Sequence, residues 1–219
     1  MPLAEPLDLI HSEGLRILEL GREDLSRPVP QYPGWTMAGL LEHVGGIVGR
    51  TSLVCRDLLT ERVSAPRPEE GADIAEWYED RLNEVLDVFR LADLEAPVWG
   101  FTERPVIGTW ATRMVVEVGV HRWDAEQAFG EPSPLLDDVA IAGLDEYANM
   151  WFPRLEGVQA LALTATDLAR HWHYGDGDPG STVEGTSSDL YLRLMSRPSP
   201  VSLPQDWADA VDGLAPPPR

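Results

Sequence analysis

The segment Trp110-Ala-Thr-Arg-Met-Val-Val-Glu-Val-Gly-Val-His-Arg-Trp-Asp-Ala-Glu126 decides both the fold and the chemistry of this chain. Its apolar residues recur at helical spacing. Glu117 and His121 stand four residues apart, so they lie one above the other on a single face of that helix. The same face carries Met114 and Val118. The pattern therefore predicts a helix that turns a carboxylate and an imidazole towards the protein core.

Two interpretations of this pair stay open from the residues alone. A carboxylate that faces a core must be paired or bound to a metal, because an unpaired buried charge is strongly unfavourable. Glu117 and His121 are either a structural carboxylate–imidazole pair or two ligands of one divalent metal. The Glu-x-x-x-His spacing by itself is a weak motif and does not decide between the two.

The composition restricts the classes of function. The chain has 219 residues, with 37 acidic and 17 basic side chains and a formal net charge of −20. This charge argues against binding to nucleic acid or to an anionic membrane surface, since both require clustered positive charge. No apolar run of about 18 residues and no secretion signal is present, so we expect a cytoplasmic protein without a membrane span.

Apolar periodicity predicts an α+β protein, with an antiparallel helical bundle over residues 1–156 and a small α/β domain over residues 157–219. Thr36, Asp73, Thr109 and Ser133 are predicted to cap helices of the bundle. The predicted helices are residues 7–21, 37–59, 74–89, 110–128, 134–151, 188–196 and 207–214, and the predicted strands are residues 159–166 and 171–174.

A third metal ligand is available on the second predicted helix. Metal sites in helical bundles are commonly built from side chains on facing helices, and His43 flanks the apolar stripe of its helix. Together with Glu117 and His121 it would supply three protein ligands and leave one position open, as in catalytic zinc sites. Asp124, one turn beyond His121, is either a surface carboxylate or a partner that orients an imidazole.

A rival metal site is formed by His171 and His173 together with Asp176 and Asp178. Alternate residues of a strand share a face, so the two imidazoles would lie side by side, next to an acidic turn. Strand and turn segments collect such residues routinely. This site is therefore the weaker hypothesis.

Cys55 is the sole cysteine, so no disulfide can form within the chain. It follows His43 by 12 residues on one predicted helix, which is about 18 Å along the axis and too far for a shared metal. We expect Cys55 to be a small core residue. Thiol chemistry would then require an external thiol.

Glycines at positions 45, 46 and 49 interrupt the second predicted helix, where each costs roughly 1 kcal/mol relative to alanine. One explanation is the close approach of another helix or a ligand, and the other is a weakly formed helix. The apolar stripe continues unbroken past these glycines, which favours close approach.

The segment Val29-Pro-Gln-Tyr-Pro-Gly-Trp-Thr-Met-Ala-Gly-Leu-Leu-Glu-His-Val-Gly45 resembles the N-terminal signature of the mycothiol-dependent maleylpyruvate isomerase family. The segment Trp110–Glu126 continues the resemblance. Leu161–Asp167 and Asp189–Arg197 are similar to the strand and the helix of the family's small C-terminal domain. This family is an actinobacterial branch of the DinB-like metalloenzymes, so the resemblance implies a DinB-like bundle.

The resemblance also implies a ligand set and a chemistry. The family's metal ligands match His43, Glu117 and His121, and its cofactors are Zn²⁺, or another divalent metal, and mycothiol. A metal-bound thiolate would attack a small electrophilic substrate, either as a cis–trans isomerase or as an S-transferase. The alternatives are a metal-dependent hydrolase that uses zinc-bound water and a non-catalytic small-molecule-binding protein.

Arginine side chains are the expected partners of a carboxylate-bearing substrate. Arg197 aligns with an arginine implicated in the activity of the isomerase, so the resemblance implies a catalytic role for it. Arg113 and Arg104 are further candidates, although Arg113 could equally be a charge on a helix surface.

Overall fold

The computed structural model describes residues 4–130 and 132–214, and it confirms the α+β class. The chain divides into two compact units, Met1–Ser133 and Pro134–Arg219. The elements of the first unit are α1 (Ala4–Glu23), α2 (Met37–Arg56), α3 (Ile74–Leu91) and α4 (Ile107–Phe129). Those of the second are α5 (Asp137–Met150), a 3₁₀ turn (Phe152–Arg154), β1 (Leu161–Ala165), β2 (His171–Tyr174), β3 (Ser181–Gly185), α6 (Ser187–Leu194) and α7 (Gln205–Asp212).

The first unit is a four-helix bundle. Helix α1 packs against α4 and α3, while α2 packs against α3 and α4. The middle of α4 is buried on every side, from Met114 to Glu126, which explains why its sequence is apolar all round rather than along one stripe. None of the helices in the described ranges is long and apolar enough to cross a membrane.

Two of the predicted caps lie where helices begin. Asp73 precedes α3, and its side chain accepts hydrogen bonds from the backbone N–H groups of Ala75 at 2.9 Å and Glu76 at 3.1 Å. Thr36 occupies the cap position of α2, but its side chain makes no capping hydrogen bond. Of these two positions, only Asp73 therefore makes the predicted capping interaction.

The other two predicted caps are wrong. Helix α4 begins before Thr109, whose hydroxyl instead donates to the carbonyl oxygen of Val106 at 2.6 Å. Helix α5 begins at Asp137, after Ser133. The hydroxyl and backbone N–H of Ser133 both donate to Glu126, at 2.7 and 2.9 Å. Ser133 is thus bound to the end of the preceding helix, which explains why it does not start the next one.

The glycines of α2 mark close approach to neighbouring backbone and side chains, as expected. A Cβ atom at Gly45 would lie 2.4 Å from the ring of Trp77 on α3, and one at Gly49 would lie 2.6 Å from Cγ of Pro66. Both separations are far below van der Waals contact. Glycine therefore lets α2 sit directly against α3 and the linker before it.

The second unit contains a three-stranded sheet of order β2–β1–β3. Strand β1 pairs antiparallel with β2 and parallel with β3, so Leu163 lies opposite Trp172 on one side and Val183 on the other. Helices α5 and α6 pack against the sheet. The sequence pattern predicted β1 and β2 but did not predict β3.

Helix α5 belongs to the second unit because it packs against α6 and β2. The apolar periodicity of the sequence changes from helical to alternating only after α5, where the strands begin. In the structure, however, α5 packs with those strands and belongs to the same unit. The limits 1–156 and 157–219 expected for the two domains stay a prediction.

Candidate metal centre

Three side chains meet at the contact between α2 and α4. His43 lies on α2, while Glu117 and His121 lie on α4, and one potential ligand atom from each falls within 4.8 Å of the others. Nε2 of His121 is 3.3 Å from Oε1 of Glu117, and Nε2 of His43 is 3.9 Å from the same oxygen. The structure thus brings together the three residues that the sequence nominated as ligands.

The separations suit a small divalent cation. With metal–ligand bonds of about 2.0–2.1 Å, neighbouring ligand atoms of a tetrahedral zinc site lie about 3.3 Å apart. The separation between His121 and Glu117 has this value, and His43, at 3.9 Å from Glu117, would have to move inward. Two imidazoles and a carboxylate are donors that Zn²⁺ accepts. The donor set therefore fits Zn²⁺ or another divalent metal.

Asp124 orients the His121 ring. Its side chain is fully buried, and its Oδ2 atom accepts a hydrogen bond from the His121 Nδ1–H at 2.9 Å. This bond fixes the proton on Nδ1, so Nε2, the nitrogen that faces Glu117, is the atom that could bind a metal. Burial alone would lower the pKa of His121, but the hydrogen bonds to Asp124 and Glu117 together raise it. The interpretation of Asp124 as a surface carboxylate is wrong.

Arg113 orients the carboxylate of Glu117. Its guanidinium donates to Oε2 of Glu117, four residues further along α4, and its side chain is only 15% exposed. Burial opposes ionisation of Glu117, but Arg113 and the two histidines outweigh burial and lower the pKa of this carboxyl. The interpretation of Arg113 as a helix-surface charge is wrong. Its spacing from Glu117 was the signal that could have predicted the pair.

His43 presents a neutral imidazole. Burial, followed by the proximity of His121, lowers its pKa to about 4, although the carboxylates of Glu117 and Asp124 act in the opposite direction. A neutral ring keeps a lone pair for a metal. The rings of His43 and His121 meet edge to face, with centroids 5.1 Å apart.

An aromatic turn covers the two imidazoles. In Tyr32-Pro-Gly-Trp35, the Trp35 N–H donates to the Tyr32 carbonyl at 2.9 Å, and Gly34 has a φ of 81°. These are the features of a type II β-turn with proline and glycine at its centre. The turn sets the Trp35 ring 5.0 Å from His43 and the Tyr32 ring 6.0 Å from His121. Both aromatic side chains are buried, so they shield this side of the cluster from water. Sequence reasoning assigned no role to either ring.

Two further arginines were predicted to bind substrate. Arg197 lies in the second unit, where it is buried and donates to the carbonyl oxygen of Met195 at 2.8 Å. Arg104 is exposed, in the loop before α4. A role for either residue in substrate binding stays a prediction.

The rival metal site does not form a three-ligand cluster among the residues that the structure describes. His171 and His173 do share a face of β2, as predicted, but that face is exposed. Asp176 and Asp178 are also exposed, in the turn that follows. The Nδ1 atom of His171 instead lies 3.2 Å from the hydroxyl of Thr164.

Cys55 is a core residue, as expected. Its side chain is buried, and burial raises the pKa of its thiol to about 12. A thiol with this pKa is almost fully protonated at neutral pH and is a poor nucleophile.

Comparison with known proteins identifies similar sequences and folds. Residues 7–126, more than half of the chain, match the family described as the mycothiol maleylpyruvate isomerase N-terminal domain. A crystal structure of the mycothiol-dependent maleylpyruvate isomerase is similar over 92% of each chain, with 14% sequence identity and a TM-score of 0.71. The structure of a histidine-to-alanine mutant of that enzyme is similar over 88% of each chain, with 13% identity and a TM-score of 0.67. No curated protein matches the chain. At such identities the structural similarity shows the fold.

Proposed function

Because this chain belongs to the mycothiol maleylpyruvate isomerase family, we propose that it is an enzyme that uses a divalent metal, Zn²⁺, and a low-molecular-weight thiol, mycothiol, to act on a small electrophile. The observation that carries this proposal is the cluster of His43, Glu117 and His121. Its three donor atoms come from two helices and lie within 4.8 Å of one another.

The residues of the cluster would hold the metal and leave a coordination position for the thiol. Bound there, the metal would supply the charge that keeps a coordinated thiol in its reactive thiolate form. Asp124 keeps Nε2 of His121 available by accepting its Nδ1–H, and Arg113 occupies the second oxygen of Glu117. These two contacts therefore leave Nε2 of His121 and Oε1 of Glu117 as the atoms that face the site.

The nucleophile must come from outside the chain. Cys55 is the sole cysteine, and burial keeps its thiol protonated. The buried rings of Tyr32 and Trp35 would exclude water from one side of the cluster and so favour a thiol over hydroxide as the attacking group.

The proposed reaction begins when the sulfur of the activated thiol adds to a carbon of a cis double bond conjugated with a carbonyl group. The π electrons of the double bond move to the carbonyl oxygen, and rotation about the resulting single bond follows. Return of the electrons re-forms the double bond, breaks the carbon–sulfur bond with release of the thiolate, and gives the trans isomer. If the thiol remained attached after protonation of the adduct, the same site would act as an S-transferase. Maleylpyruvate, the substrate of the similar isomerase, is the first electrophile to test.

The test combines metal content with thiol dependence. The protein is purified without chelator, its metal is measured by mass spectrometry, and turnover of maleylpyruvate is followed with and without mycothiol. His43→Ala should lose both metal and turnover. His11→Ala, which removes an exposed histidine on α1, is the matched control and should retain both.

Two results would contradict the proposal. Stoichiometric metal and full turnover in His43→Ala would show that the cluster is not the active centre. Turnover that does not depend on mycothiol would exclude the thiol mechanism and favour hydrolysis by activated water.

A further inference from the structure

Arg50 on α2 is a half-buried arginine. Its Nε atom is buried and has no hydrogen-bond partner among the residues that the structure describes. Among residues 4–130 and 132–214, no carboxylate lies within salt-bridge distance of its guanidinium. The guanidinium does face an aromatic ring, since its central carbon lies 5.9 Å from the ring centroid of Trp99.

Arg50 lies on the same side of α2 as the candidate metal ligand His43. The two residues are seven positions apart, which is about two helical turns and returns to the same face. Burial lowers the pKa of Arg50, and the charge of Arg62 acts in the same direction, as does that of Arg113, whereas Glu117 opposes them. Glu117 is already bound by Arg113. The carboxylate whose charge acts on Arg50 is therefore paired with another arginine.

An aromatic cluster borders the guanidinium of Arg50. The Trp99 ring packs against Trp110 at 5.6 Å and against Phe101 at 4.9 Å between centroids. Trp99 is held in place because its carbonyl oxygen accepts a hydrogen bond from the Trp110 indole N–H at 2.6 Å. A ring face attracts a guanidinium but does not neutralise it, so Arg50 keeps its full charge.

A purely structural arginine at such a position is expected to be paired. Arg122, the buried arginine of α4, donates to both Glu13 and Glu126, at 2.9 and 2.8 Å. Arg50 has no such partner within the described part of the chain, and leaving a partly desolvated charge unpaired is unfavourable. An anion that arrives from outside would remove this cost.

We propose that Arg50 binds a carboxylate of the electrophilic substrate, with Trp99 as the aromatic wall of that subsite. The inference rests on the proposed function, because it places the subsite beside the metal centre. Carboxylate is the matching chemistry, since the planar guanidinium can donate two parallel hydrogen bonds to its two oxygens. Arg50 would therefore select electrophiles that carry a carboxylate next to the reactive carbon.

Maleate, a small cis-unsaturated dicarboxylate, is the probe for this subsite. Its affinity is measured by calorimetry without thiol, for the protein as purified and for Arg50→Met. We expect the variant to bind maleate at least tenfold more weakly, and Arg50→Lys to recover part of the loss because it restores the charge without the planar fork. Arg56→Met is the matched control, because Arg56 lies on the same helix but is exposed and pairs with Asp57 and Glu84. It should bind maleate unchanged.

Stability provides a second readout. If Arg50 serves a ligand, Arg50→Met should unfold at the same temperature as the parent protein or at a higher one, since it removes an unpaired, partly buried charge. Equal maleate affinity in the parent and Arg50→Met, no maleate binding by the parent, or a marked drop in the unfolding temperature of the variant would overturn the proposal.

Metal content and mycothiol-dependent turnover of the same preparations test the proposed function separately. A parent protein that binds maleate through Arg50 but holds no metal would retain the subsite and refute the metal chemistry. If turnover depends on metal and mycothiol but Arg50→Met binds maleate as tightly as the parent protein, the subsite alone is refuted.

Discussion

Replacing Asp124 by asparagine tests whether the hydrogen bond behind His121 supports metal binding. The side chain of Asp124 is fully buried, and its carboxylate lies 2.9 Å from Nδ1 of His121. Asparagine has nearly the same shape, and its amide oxygen can still accept from Nδ1–H. The substitution therefore removes the negative charge behind the imidazole while it preserves packing.

The size of the effect follows from the position of the bond. His121 is 5% exposed, so water screens the pair very little. Loss of such an outer partner typically weakens metal binding about 10- to 100-fold. At about 1.4 kcal/mol for each factor of ten, this corresponds to about 1.4–2.8 kcal/mol of metal-binding free energy. The imidazole becomes a weaker donor because the charge that favours electron donation from its ring is gone.

The assay is competition for Zn²⁺ between the protein and a chromophoric chelator at neutral pH. Glu126→Gln is the matched control, because it removes another buried carboxylate from α4, two residues further on, that contacts Arg122 rather than a histidine. Asp124→Asn should lose affinity and Glu126→Gln should not. Equal zinc affinity in Asp124→Asn and the parent protein would refute the reasoning.

Three further predictions concern the turn, the buried ion pairs and the thiol. Gly34→Ala should lower the free energy of unfolding by about 1–2 kcal/mol in chemical denaturation, because a side chain is disfavoured at a φ of 81°. Arg122→Met should cost roughly 3–5 kcal/mol at pH 7, since it removes the guanidinium that pairs with the buried carboxylates of Glu13 and Glu126, and Glu126 keeps only its contact with Arg16. That deficit should shrink as the pH falls, because the lowered pKa of Glu126 contributes stability above the pKa of the unfolded chain, and this stability is lost as the pH falls through the folded-state pKa. Burial instead raises the pKa of Glu13, so that carboxyl becomes neutral at a higher pH than Glu126. Cys55 should resist a thiol-reactive disulfide reagent in the native protein and react only after unfolding, since burial raises the pKa of its thiol to about 12.

Each of these predictions has a control or a contrary outcome. Gly39→Ala should be neutral or stabilising, because a Cβ atom there meets nothing closer than 3.9 Å and α2 favours alanine. Arg56→Met should change stability little, since its ion pairs are largely exposed. Equal losses in each matched pair would show that neither backbone strain nor burial is the cause. Rapid labelling of native Cys55 would show that this part of the bundle opens readily.

The local part of the site could be predicted from the sequence. Glu117 and His121 share a face because helical spacing alone places residues four apart together, and the structure keeps them there. The α+β class followed from the change from helical to alternating periodicity. Arg113 could have been predicted in the same way, since it precedes Glu117 by four residues. These relations lie within one helix and need no knowledge of its neighbours.

Strand β3 shows where local pattern fails. Its pairing partner β1 lies some 20 residues earlier in the chain, and the alignment of Val183 with Leu163 follows from that parallel pairing. The segment Ser181–Gly185 carries a single buried apolar side chain, so its own sequence gives little sign of a strand. The cap that was wrongly predicted at Ser133 has the same origin, because the partner of Ser133, Glu126, lies on the preceding helix.

By itself the sequence determined that α4 would carry a carboxylate and an imidazole on one buried face, because the repeat of a helix is a local property. Only the tertiary structure decided that His43 lies 3.9 Å from Glu117 and that Asp124 is buried behind His121. It also decided that Arg50 lies within salt-bridge distance of no carboxylate in the ranges 4–130 and 132–214. The physical reason is that distances between helices are set by side-chain packing along the whole contact, which no single segment encodes.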